Sequence, residues 1–112
     1  MEAYGVKKGD KLVEATFHGG FNQRWFLKHI RNGWFQIENL GSKLNIDSSR
    51  DGKIQVCQWL PNISSSQLWS FEQLENNKYR VRSCEKKESV LGTSHGYVTL
   101  VPNEDPTHLW IL

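Results

Sequence analysis

The sequence predicts an all-β domain made of three pseudo-repeats, and two observations lead to this prediction. The first is a tripeptide ending in Trp that occurs three times: Gln23-Arg24-Trp25, Gln67-Leu68-Trp69 and His108-Leu109-Trp110. The three Trp residues are 44 and then 41 positions apart. A nearly constant period of this length is the signature of a repeat architecture, in which each unit buries its apolar face against its neighbours.

The second observation is a strand pattern upstream of each tripeptide. An aromatic residue, any residue and a branched aliphatic residue follow one another in Tyr4-Gly5-Val6, Phe35-Gln36-Ile37 and Tyr79-Arg80-Val81. A period of two places both apolar side chains on one face of a strand. Asn32-Gly33 and Asp51-Gly52 predict hairpin turns. No window shows a sustained helical period, so each repeat is interpreted as four short strands separated by turns.

The first repeat is predicted to be shortened. Leu12 precedes Trp25 by 13 positions, whereas the matching leucines of the second and third repeats precede their Trp residues by 25 and 19 positions. About one strand and one turn are missing near residues 16–20. A trimmed hairpin is the favoured explanation, because Tyr4-Gly5-Val6 already supplies a first strand. The alternative is a lost N-terminal strand, with the barrel completed by a partner. The whole chain is interpreted as a single domain, 1–112, with repeats at approximately 1–29, 30–73 and 74–112.

Composition excludes several classes of function. The net charge of +2 and the dispersed basic residues argue against a nucleic-acid partner, and no apolar run is long enough to span a membrane. The N-terminus has no apolar signal segment, so a cytoplasmic location, or release by a non-classical route, is expected. Cys57 and Cys84 are expected to be free thiols, with one disulfide between them as the alternative. The scattered His residues fit no metal spacing, and no nucleophile or phosphate-loop motif occurs, so neither an enzyme nor a metal or other cofactor is expected.

Taken together, the three Gln-x-Trp-like repeats and strands such as Gly41-Ser42-Lys43-Leu44 resemble the ricin-B-type lectins over nearly the whole chain. The resemblance implies a β-trefoil, which is a six-stranded barrel capped by three hairpins, with the repeat Trp residues in the core. It implies a carbohydrate-binding protein whose partner is a glycan or glycoconjugate, of the galactose type common in the family. Exposed aromatic residues in the first repeat would suit a homodimer. The alternative is a protein-interaction β-trefoil that binds no sugar.

The second repeat fits the family's sugar site best. Trp59 lies ten positions before Trp69, where the family has its stacking aromatic residue. Asn45 takes the place of the family's Asp, and Asp47 lies on the same strand face. Together with Asn22-Gln23, the intact dipeptide of the first repeat, the predicted carbohydrate-binding residues are Asn45, Asp47, Trp59, Asn62, Gln67, Asn22 and Gln23. The competing interpretation is that Trp59 belongs partly to the core and that Asn45 and Asp47 are turn residues.

Overall fold

Antiparallel strands make up most of the described chain, as the period-two patterns predict. The computed structural model describes residues 1–5, 7–9, 12–13, 20–48, 56–74, 78–86, 88–102 and 110–111. Val6, Asp51-Gly52 and His108-Leu109 therefore lie outside the described residues, as do residues 14–19. The strands are β1 (Glu2–Ala3), β2 (Leu12–Val13), β3 (Trp25–Arg31), β4 (Trp34–Asn39), β5 (Asn45–Asp47), β6 (Cys57–Trp59), β7 (Trp69–Gln73), β8 (Lys78–Ser83), β9 (Ser89–Ser94), β10 (Tyr97–Pro102) and β11 (Trp110–Ile111). Two single-turn 3-10 helices, η1 (Phe21–Gln23) and η2 (Ser65–Gln67), precede β3 and β7.

Two tight turns close hairpins of the sheet. The predicted Asn32-Gly33 turn is confirmed, since Arg31 pairs with Trp34 and Gly33 has a φ of 79°. Between β9 and β10, His95 and Gly96 have φ angles of 53° and 82°. Two consecutive positive φ angles define a type I′ turn, whose twist matches that of the flanking strands.

The three repeat Trp residues sit in equivalent places, which reveals the pseudo-threefold symmetry. Each indole Nε1 donates a hydrogen bond to a main-chain carbonyl oxygen: Trp25 to Met1 at 3.2 Å, Trp69 to Ile46 at 3.1 Å and Trp110 to Leu91 at 2.9 Å. The residues after η1 and η2 also match, because Leu40 N donates to Arg24 O and Cys84 N donates to Leu68 O. Met1, Ile46 and Leu91 are therefore equivalent positions.

This equivalence corrects the predicted alignment of the first repeat. With Met1 matched to Ile46, strand β1 corresponds to β5 and β9, and Tyr4-Gly5-Val6 does not correspond to β4 or β8. Tyr4 lies in a bend and is 64% exposed, and the hairpin formed by β1 and β2 is present. The shortened first repeat is confirmed, but the trimmed hairpin is the wrong explanation: the described chain has no equivalent of β4 and β8 in this repeat.

The barrel is a β-trefoil with five of its six strands in the described chain: β3, β4, β7, β8 and β11. Strand β4 pairs with β3 and β7, and β8 pairs with β7 and β11. The core under these strands is apolar and centres on Trp69, with buried Leu12, Ile37, Ile46, Val56, Val81, Leu91 and Val98 around it. Trp69 is 0% exposed, whereas Trp25 and Trp110 are only partly buried.

Two further expectations from the sequence concern the two cysteine thiols and a membrane-spanning segment. Cys57 is buried, Cys84 is half-buried, and both are free thiols. Within the described residues, no helix is long and apolar enough to cross a membrane.

Candidate functional site

Gln67 is the centre of a buried polar network in the second repeat. The turn of η2, closed by Gln67 N donating to Ser64 O at 3.1 Å, directs this side chain inward, where it is 0% exposed. Its Nε2 donates to Asp47 Oδ2 at 3.2 Å and to Leu60 O at 2.8 Å. Its Oε1 accepts from Asn45 Nδ2 at 2.9 Å and from Asn62 N at 3.0 Å. All four hydrogen-bonding positions of the amide are thus filled from within the protein.

Strand β5 supplies the two partners that Gln67 meets. Asn45 and Asp47 are two residues apart, so their side chains project from the same strand face toward Gln67. They are 2% and 0% exposed. A buried network whose members satisfy one another holds its parts rigidly, whereas an unpaired member would be costly. Here the network attaches Leu60 and Asn62, which follow β6, to strand β5.

Trp59 stands at the end of β6, directly opposite Asn45 in the antiparallel ladder. Its ring is only partly buried, unlike the core Trp69. The Lys8 ammonium lies over the indole, 5.3 Å from the ring centroid, which is within cation–π range. Gly9 lies beside the ring, and a β-carbon there would be 3.7 Å from it, in ordinary van der Waals contact. The indole is therefore held in place while part of its surface meets solvent.

The buried residue before Trp59 fixes the strand underneath. Gln58 is 0% exposed, donates through Nε2 to Gly5 O at 3.0 Å and accepts from Ser42 Oγ at 2.6 Å. Its own main-chain oxygen accepts from Gly9 N. Sequence reasoning missed Gln58, because a Gln beside an aromatic residue in a strand carries no spacing that separates it from surface Gln residues.

Asn62 lies at the rim of this site and is half-buried. Its Oδ1 accepts from Ser64 N at 2.8 Å and Ser64 Oγ at 2.6 Å, and its carbonyl accepts from Gln36 Nε2 at 2.6 Å. Among the described residues no acceptor takes a hydrogen bond from Asn62 Nδ2. The side chain is thus oriented by its oxygen and presents its two amide hydrogens.

The first repeat carries a reduced version of the same arrangement. Gln23 Nε2 donates to Glu2 Oε1 at 3.0 Å, as Gln67 does to Asp47. Asn22 accepts through its carbonyl oxygen from Asn39 Nδ2 at 3.0 Å. Sequence reasoning missed Glu2. The signal was present, because an acidic residue lies 21 positions before Gln23 and 20 before Gln67.

The described part of the third repeat shows no equivalent of the network. The equivalence of Leu91 with Ile46 places Val90 and Gly92 where the second repeat has Asn45 and Asp47. Val90 is 0% exposed and Gly92 is also buried, so apolar packing replaces the polar network there. In the part of the chain that the structure describes, the partly exposed Trp59 indole and the polar network occur together in the second repeat.

A match to a known family agrees with this architecture. The model of the family described as ricin-type β-trefoil lectin domain-like matches residues 21–110. The chain belongs to this ricin-type β-trefoil family. In the family's repeat, Gln67 and Trp69 are the first and last residues of the second tripeptide, and both are fully buried in this member.

Solved β-trefoil structures share the fold of this family member. The designed threefold-symmetric protein ThreeFoil superposes with a TM-score of 0.88 at 15% identity, covering 98% of this chain and 86% of that one. A mosquitocidal holotoxin gives 0.85 at 18% identity, with 98% of this chain and 15% of that chain covered. An exo-β-1,3-galactanase from Clostridium thermocellum gives 0.82 at 21% identity, with 96% and 25% covered. The ricin-type domain thus spans only a small part of the last two proteins, and no curated protein sequence matches it.

Proposed function

We propose that this chain is a carbohydrate-binding protein that stacks a sugar ring on Trp59. Membership of the ricin-type lectin-like family supports the proposal. The observation that carries it is a partly exposed indole placed opposite Asn45 and beside the rigid Asn45–Gln67–Asp47 network. Sugar sites combine an aromatic face, which packs on the C–H groups of the ring, with a few fixed polar groups.

The buried and the partly exposed residues of the predicted site are assigned different roles. Asn45, Asp47 and Gln67 are at most 2% exposed, so we assign them the task of holding the 60–62 segment rather than touching sugar. Trp59 contacts the ring, and Asn62 Nδ2 and the Lys8 ammonium donate to hydroxyl oxygens. Gln23 and Asn22 form a second, weaker candidate in the first repeat, where no partly exposed aromatic residue among the described residues is paired opposite β1.

Galactose-type glycans are the first ligands to test. The family resemblance favours them, and one structural neighbour is an exo-β-1,3-galactanase by name. Affinity for a single sugar is expected to be weak, so multivalent presentation of the glycan would raise it.

The test is a glycan array followed by titration of the chain's intrinsic Trp fluorescence with the best ligand. We expect Trp59→Ala to weaken binding at least tenfold, about 1.4 kcal/mol, because the stacking face is lost. Trp34→Ala, which removes another partly buried indole, is the matched control and should bind like the parent chain. Undiminished binding by Trp59→Ala would exclude this site, and a blank array would exclude the function.

The alternative, a β-trefoil that binds a protein and no sugar, is favoured by a different observation. Strand β3 exposes apolar side chains, with Phe26 at 55% and Leu27 at 41%. Protein–protein interfaces are among the usual reasons for such an exposed apolar patch. A blank glycan array together with binding of a protein segment at β3 would support this alternative.

A further inference from the structure

The buried Gln58 fixes the position of Lys8 beside the Trp59 ring. Gln58 is 0% exposed, and its Nε2 donates to Gly5 O at 3.0 Å. Its main-chain oxygen accepts from Gly9 N at 2.6 Å. One residue of β6 therefore holds the chain on both sides of Lys8. This lysine is itself exposed, and its ammonium lies 5.3 Å from the centroid of the Trp59 ring.

A second lysine-bearing segment is attached to the same glutamine. Ser42 Oγ donates to Gln58 Oε1 at 2.6 Å, and Lys43 directly follows Ser42. Lys7, Lys8 and Lys43 are all exposed. Three exposed lysines therefore lie on segments attached to β6, the strand that ends in Trp59.

The negative charge of this region is buried. In the described segments 7–9, 41–48 and 56–67, Asp47 is the one acidic residue. It is 0% exposed, and its Oδ2 accepts from Gln67 Nε2 at 3.2 Å. Asn45, which pairs with Trp59 across the ladder, is neutral. The exposed surface of these segments therefore carries positive charge and no exposed carboxylate.

The Lys8 ammonium lies beside the surface on which a sugar would stack. Among the described residues, no carboxylate pairs with it, and its contact is with the Trp59 ring. A lysine has a flexible four-carbon stem, so the ammonium can move from the face of the ring to its edge. A neutral sugar on the indole offers it only hydroxyl oxygens. An anionic substituent offers a charge-assisted hydrogen bond, which is about twice as strong as a neutral one.

We propose that the sugar bound at Trp59 is acidic, and that its sulfate or carboxylate group pairs with the Lys8 ammonium. This inference rests on the proposed sugar binding at Trp59, and it specifies the class of sugar. Lys7 and Lys43 add a longer-range attraction for the anion, which salt screens.

Three matched saccharides test this selection by charge: lactose, lactose sulfated on its galactose ring, and sialyl-lactose, which carries a carboxylate. Each is titrated into the full chain at low salt, with Trp fluorescence as the readout. We expect at least one acidic form to bind about threefold to fivefold more tightly than lactose, because an exposed ion pair is added. The acidic form that binds more tightly identifies the anionic group. Salt at about 0.5 M should remove most of this advantage and leave lactose binding unchanged.

Two charge-removing variants locate the selection. Lys8→Gln removes the charge but keeps a hydrogen-bond donor, so it should bring the acidic forms to within about twofold of lactose while lactose binds as before. Lys28→Gln removes the same charge from the exposed part of β3 and is the matched control, which should leave all three affinities unchanged. Trp59→Ala should weaken the binding of all three saccharides.

The outcomes separate the acidic class from sugar binding itself. Equal binding of lactose and both acidic forms would overturn the acidic class and leave the site at Trp59 in place. An acidic preference that survives Lys8→Gln, or one that survives Trp59→Ala, would also overturn it, because charge elsewhere on the surface would then attract the anion. Failure of all three saccharides to bind would overturn it as well, and a blank glycan array would exclude the proposed function with it.

Discussion

Replacing Gln67 with Ala tests whether the buried network, rather than apolar packing alone, holds the 60–67 segment against strand β5. The variant loses four hydrogen bonds, to Asp47, Leu60, Asn45 and Asn62. At about 1 kcal/mol net for each bond, the expected loss of unfolding free energy is about 3–4 kcal/mol. A chain of this length has only about 6–17 kcal/mol of stability, so the loss is a large share of the total. The expected fall in Tm is about 12–16 °C.

Urea unfolding followed by Trp fluorescence measures this loss, and two variants control it. Gln23→Ala removes the half-buried equivalent in the first repeat and should cost about 1 kcal/mol. Gln67→Glu keeps the size and the acceptor, but it places a second carboxylate beside Asp47 and donates nothing to Leu60 O. It should destabilise at least as much as Gln67→Ala. A loss for Gln67→Ala no larger than that for Gln23→Ala, or a tolerated Gln67→Glu, would refute the reasoning.

Three further expectations can be checked in the same unfolding assay. Trp69→Phe should lower the free energy of unfolding by about 2–3 kcal/mol, because it removes a buried hydrogen bond and leaves a void. Trp25→Phe should cost less than half of that, because Trp25 is partly exposed, and equal costs would contradict this difference in burial. His95→Asn should stabilise by about 0.5 kcal/mol, because Asn tolerates the positive φ of the type I′ turn better, and a loss would argue against that turn. Cys57→Ser should cost about 1–2 kcal/mol by burying a hydroxyl group, whereas Cys84→Ser should change stability by less than about 0.5 kcal/mol, and the reverse order would contradict the assigned burial.

The candidate site shows which features can be predicted from the spacing of residues in the sequence and which cannot. Through the resemblance to ricin-B-type lectins, Trp59 was predicted from its position ten residues before Trp69, Asn45 from its place after Leu44, and Gln67 from the repeated tripeptide. Spacing could not reveal that Gln67 accepts from Asn45 and donates to Asp47, since those bonds join residues 20 to 22 positions apart. Nor could it reveal burial, which separates the buried residues of the network from the partly exposed Trp59 indole.

Repeat period, strand character and family were determined by the sequence alone, because the period of Gln-x-Trp and the alternation of apolar residues are local properties of the chain. The register of the first repeat was not. Tyr4-Gly5-Val6 has the same local pattern as β4 and β8, and only the hydrogen bond from the Trp25 indole to Met1 O shows that strand β1 corresponds to β5 and β9 instead. Strand pairing depends on partners distant in sequence, so only the tertiary structure decided that, within the described residues, β3 pairs with β4 alone.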